Sequence, residues 1–197
     1  MEMKQASIHG SGGFTLTELM VSMAIGMVVL AGVTTTFMSQ TRIYNAQEQV
    51  NEMEQNARGA LDLIAREIKM AGFKPAGGTF AGIAYNTNAL RIQADLVGND
   101  GLTTGTNEDI TYTYDNANKR IRRAASGSTE TVAENIDSFD FAYLDSNGNN
   151  TAVQADIRAI AISITARTAK PDPNYTSDNG YRTYNVSTRI TAPNLAL

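Results

Sequence analysis

A glutamate, Glu18, stands one residue ahead of a run from Leu19 to Thr41 that holds 23 residues and no charge. A carboxylate at the edge of so apolar a stretch is costly to bury, by roughly 2.5–3.5 kcal/mol for acidic side chains at mid-membrane. Near a membrane interface it could reach water; the functional alternative is that it awaits a cation. Gly12 and Gly13 precede it, and a cut after Gly13 would free an α-amine on Phe14. Positions i and i+4 share a helix face. That amine and Glu18 could therefore pair within one chain or between axially staggered neighbours. Formed in hydrocarbon-like surroundings, such a pair selects one stagger and penalises a miss.

Little else in the chain could do chemistry. Its 197 residues include no cysteine and one histidine, His9, which lies ahead of Gly13 in a segment read as a removed leader. Without thiol or imidazole, the commonest nucleophile, general base and transition-metal ligand are missing, so an enzyme is not expected. No cofactor or metal is expected either. Asp145, Asn147, Asn149 and Asp156 resemble a calcium loop at a glance, but Asn150 and Asp156 stand where the loop needs glycine and glutamate. They read as a turn. Asp172 and Asp178 could offer oxygen ligands, but their spacing alone supports no site. The net charge of −4 argues against a general nucleic-acid binder. The sole basic cluster, Lys119-Arg120-Ile121-Arg122-Arg123, reads as the solvated end of a hairpin; a surface for DNA, an acidic partner or lipid headgroups is the sharper alternative.

The element that must position Glu18 is a long helix. The apolar run exceeds the ~20 residues that cross a bilayer core and is apolar all round, unlike the buried helix of a soluble protein. A secretory signal peptide would place its small-residue cleavage site after the apolar stretch; here it comes before. Farther on, Ile43, Val50, Met53, Ala57, Leu61, Ile64, Ile68 and Ala71 form one stripe at helical spacing, with charges between them. Gly72 suits a helix cap and Pro75 prevents continuation. A helix from Phe14 to Ala71 would span ~87 Å. Its front suits a membrane or a bundle of like helices, and its rear suits a globular domain.

Gly13-Phe14-Thr15-Leu16-Thr17-Glu18 and the apolar run resemble the class III signal of type IV pilins and pseudopilins. The resemblance implies a leader over 1–13 and cleavage between Gly13 and Phe14 by the prepilin peptidase. It further implies N-methylation of Phe14 and pairing of Glu18 with the Phe14 amine of a neighbouring subunit. The stretch from Glu54 to Phe73 is similar to PilW-type minor pilins, with the J-like pseudopilins of type II secretion as close relatives. Many major pilins carry a helix-breaking proline where this chain has Thr34-Thr35-Thr36. Implied partners are other pilins and minor pilins, the prepilin peptidase, the inner-membrane assembly platform and, before assembly, the bilayer. The implied location is the bacterial inner membrane, N-terminus cytoplasmic, with a periplasmic domain, and then the surface pilus.

Residues 74–197 read as strands and loops. Ile110, Tyr112 and Tyr114; Phe139, Phe141 and Tyr143; Ile160, Ile162 and Ile164; and Tyr184, Val186 and Ile190 follow a period of two. The expected fold is α+β and pilin-like: an antiparallel sheet laid on the striped half of the helix. The expected divisions are a membrane and assembly half over 14–38, an amphipathic half over 39–73 and a β-rich domain over 74–197. The function expected is that of a minor pilin-type subunit. The rivals are a secretion pseudopilin and a membrane-anchored tip module that binds DNA or a surface.

Overall fold

A computed structural model describes residues 13–195. Of the leader expected over 1–13, residues 1–12, His9 included, lie outside them. One helix, α1, runs from Leu16 to Met70, close to the predicted limits. Every residue from 13 to 45 is exposed, including Leu19, Val21, Ile25, Val29 and Phe37. Ile43, placed at the head of the stripe, is also exposed. Burial begins only in the second unit of the chain, 46–197, where Met53, Ala57, Ala60, Leu61, Ile64 and Ile68 turn inward. The helix continues through the threonine triplet. Thr34 donates its hydroxyl to Leu30 O at 2.8 Å, and Thr35 and Thr36 both donate to Gly32 O at 2.9 Å. Back-bonding of this kind satisfies the hydroxyls without breaking the ladder.

The helix ends as its sequence indicates. Gly72 takes φ +77, a conformation that favours glycine. Its N–H donates to Gln93 O at 2.9 Å, and Phe73 N donates to Met70 O at 3.1 Å. The side-chain amide of Asn194 reaches Lys69 O and Ala71 O at 3.4 Å, supplying donors to carbonyls a helix end leaves open. Gly82 packs on this turn so closely that an added Cβ would lie 2.6 Å from Gly72 Cα.

Among the described residues eight strands, all antiparallel, form two sheets rather than the single sheet expected. The first is a meander of β1 (Ile83–Ala84), β2 (Ala89–Gln93), β3 (Asp109–Asp115), β4 (Arg120–Ala125) and β5 (Ser128–Glu134). The second joins β6 (Ile136–Leu144), β7 (Ala159–Arg167) and β8 (Thr183–Thr191). Asn135 makes the division. It is the one residue between β5 and β6 and takes φ +55. Its carbonyl accepts from Arg167 N, while the next amide, Ile136 N, donates to Lys119 O, each at 2.8 Å. The chain thus leaves one sheet and enters the other through a single left-handed residue.

The inward faces share one core with the rear of α1. Ile64 and Ile68 from the helix, Ile92, Tyr112 and Ile121 from the first sheet, and Ile160, Ile162 and Ile164 from the second are all buried. The predicted alternation holds on β3, β7 and β8; on β6 it is partial, since Phe141 and Ala142 are both half-buried and Tyr143 and Leu144 both buried.

Candidate assembly site at the head of the helix

Gly13, Phe14 and Glu18 are all exposed, Phe14 at 88%. Glu18 closes the first turn on Thr15. The Thr15 amide donates to Glu18 Oε2 at 2.9 Å and the Thr15 hydroxyl donates to the same oxygen at 2.8 Å. In return, Glu18 N donates to Thr15 Oγ1 at 3.3 Å. This is a reciprocal cap in which a threonine and a glutamate three residues apart satisfy each other's backbone amides. The structure therefore joins Glu18 to Thr15. Among the described residues no hydrogen bond links Glu18 to the Phe14 nitrogen, which is a peptide nitrogen in the uncut chain. Thr15 was not singled out in the sequence, although the Thr-x-x-Glu spacing ahead of an apolar run is a readable signal.

The helix that follows carries no burial over its apolar window and is long and apolar enough to cross a membrane. The prokaryotic N-terminal methylation motif matches residues 8–34. No curated protein matches the sequence. Among solved structures, a type IV-like pilin from Thermus thermophilus is similar, with a TM-score of 0.50 and 13% identity. The match covers 72% of this chain and 97% of the other. The fold is type IV pilin-like.

In this pilin-like chain the basic cluster is not a solvated hairpin end. Lys119, at φ +52, forms the turn, and the remaining residues belong to β4. Lys119 lies 3.9 Å from Asp137, and Arg120 lies 3.0 Å from Asp115. Arg123 lies 2.8 Å from Glu67 of α1, with both side chains largely buried. Three of the four cations are thus matched by acids of the same molecule, which counts against the DNA reading. Asn118 and then Arg120 hold Asp115 down at about 2.

The Glu67 carboxylate is the hub of the helix–sheet contact. It accepts from Arg123 Nε at 2.9 Å through one oxygen and from the Tyr112 hydroxyl at 2.5 Å through the other. Burial, reinforced by the Glu67 carboxylate, pushes the Tyr112 phenol far above its ordinary range. Burial opposes the Arg123 charge, yet the bond to Glu67 and its charge outweigh that and raise the guanidinium. Glu67 is one of the charges that lie between the stripe positions. Its spacing of three from Ile64 was the signal that it belongs at the edge of the buried face.

The acidic loops are occupied by their own backbone. Asp145 Oδ1 accepts from Asn147 N at 2.8 Å and Asn149 N at 2.9 Å, so this segment is a turn, as its sequence indicated. The amide of Asn149, more than any other contact, lowers the Asp145 carboxyl. Asp172 accepts from Asn174 N and from Arg182 Nη2. Among the described residues, no group of three His, Cys, Asp or Glu side chains gathers to hold a metal.

Proposed function

We propose that this pilin-like chain is a minor, PilW-type subunit incorporated into a type IV pilus or priming its assembly. It is inserted in the bacterial inner membrane with its N-terminus in the cytoplasm, 14–38 in the bilayer and the β-rich part in the periplasm. The prepilin peptidase removes 1–13 and methylates the freed Phe14 amine. The mature subunit then joins other pilins through the assembly platform, as a structural part and not as an enzyme.

The observation that carries this reading is the exposed apolar helix that begins directly after Gly13-Phe14 and carries Glu18 in its first turn. An unpartnered surface of this kind needs lipid or like helices around it. Thr15 supplies the carboxylate with donors while the subunit is alone. In the filament the amine of a neighbour replaces or joins them, so that only one stagger leaves no buried charge unmatched.

Glu18→Ala tests the role directly. The variant should enter the membrane at the wild-type level and be missing from sheared surface filaments. Wild-type recovery in those filaments would remove the pairing role. Recovery of the unaltered protein only in secretion pseudopili would move it to the J-like group.

A further inference from the structure

Near the C-terminal end of α1, the loop after it, the segment before β7 and the last described residues border a half-open cavity of about 450 Å³. Two cations, Lys74 and Arg158, line it with Phe80, Leu195, Gln154 and Asn194, and no acidic side chain does. Among the described residues neither cation forms an ion pair. Asp156, two residues before Arg158, is exposed and forms no ion pair among the described residues.

The Arg158 guanidinium is held in place by one nitrogen. Its Nη1 donates to Ala155 O and to Ile157 O, each at 2.8 Å. That leaves Nε and Nη2, the parallel pair of donors that receives both oxygens of a carboxylate. Lys74 adds a second positive charge, its Nζ 5.9 Å from the Phe80 ring centroid. The Phe80 ring and Leu195 give the cavity an apolar wall. Two cations of one sign at a cavity that no acidic side chain lines among the described residues raise the local concentration of anions.

From this the geometry points to a second binding site, for an organic carboxylate that carries an apolar group. Arg158 grips the carboxylate, Lys74 balances its charge and Phe80 with Leu195 covers the apolar part. The acid comes either from a free small molecule or from an acidic side chain of a neighbouring copy.

The test uses the full-length protein in detergent micelles, ¹⁵N-labelled, with sodium benzoate as probe and neutral benzamide as its isostere at constant ionic strength. Benzoate should shift the Arg158 Nε resonance saturably, and benzamide should not. Arg158→Lys keeps the charge and loses the fork, and should weaken benzoate about tenfold. The Arg158 backbone stays anchored in that variant, through Leu144 O and Ala192 N. Lys74→Gln, at an exposed position, should weaken binding about threefold. Arg66→Gln, on the exposed face of α1, should leave it unchanged. Equal responses to benzoate and benzamide, or unaltered affinity in both Arg158→Lys and Lys74→Gln, would overturn the site. Carbodiimide coupling of Lys74 to an acid of a second copy assigns the carboxylate to a neighbour. Benzoate binding without that link assigns it to a free acid.

Discussion

The two halves of α1 are one unbroken helix by hydrogen bonding and opposites by surface. From residue 13 to residue 45 every side chain is exposed, and the exposed set is rich in Leu, Met, Val and Ile. From Met53 onward the apolar residues narrow to one stripe, and that stripe is buried under two sheets. Helical propensity cannot account for the contrast, since both halves form the same ladder. What differs is the solvent each half is built for. The rear half finds its apolar partner inside the chain; the front half finds none among the described residues. Polar side chains follow the same division. Glu18 and the threonines of the front are satisfied by their own helix turn, whereas Glu67 of the rear reaches across to Tyr112 and Arg123.

The contrast can be broken, or sharpened, in order of expected effect. Glu67→Ala leaves the buried Arg123 guanidinium and Tyr112 hydroxyl without their acceptor, at a cost of about 3–5 kcal/mol in unfolding of the β-rich unit. A loss below 1 kcal/mol in denaturant titration of the full chain in micelles would mean that Glu67 does not join helix to sheet. Ile64→Ala, in the closed core, should cost about 2–5 kcal/mol in the same titration. Ile25→Ala, in the front half, should stay within about 0.5 kcal/mol. Comparable losses at the two positions would erase the distinction between the halves.

Alkaline pH provides a third handle. The Tyr112 phenol titrates higher in the folded protein than its ordinary value of ~10. Its contribution to stability is therefore complete below that value and is lost as pH rises above it. The denaturation midpoint should fall between about pH 9.5 and 11.5 in the wild type, more steeply than in Tyr112→Phe. Parallel curves would deny Tyr112 this part. The smallest effect belongs to the exposed pair Glu54–Arg58, whose side chains are 38% and 61% accessible at 3.2 Å. Glu54→Gln should change stability by no more than about 0.5 kcal/mol, less still in high salt.

How much of this could be read in the sequence depended on periodicity. The rear stripe, its glycine end and strands β3, β6, β7 and β8 follow a clear period of 3.6 or 2. Strands β4 and β5 do not. β4 is interrupted by Arg120, Arg122 and Arg123, two of them tied to acids elsewhere in the fold. β5 is an edge strand whose first four residues are exposed. The split into two sheets turns on the backbone of Asn135 alone, which no hydrophobic pattern reports. Ile43 shows the reverse: it fits the helical spacing, yet the sheets do not extend to cover it. At the head of the helix the N-terminal methylation motif was legible because it is local in sequence. Thr15 was missed as a capping residue, although the Thr-x-x-Glu spacing carries that signal; the cap geometry reveals it.

The account rests on an amine being created next to Glu18, and the mass of the protein isolated from its native membrane measures that directly. Loss of residues 1–13 with a single methyl group on Phe14 is the predicted result. A chain that still carries Gly13, in cells that process other prepilins, would contradict the account at its base.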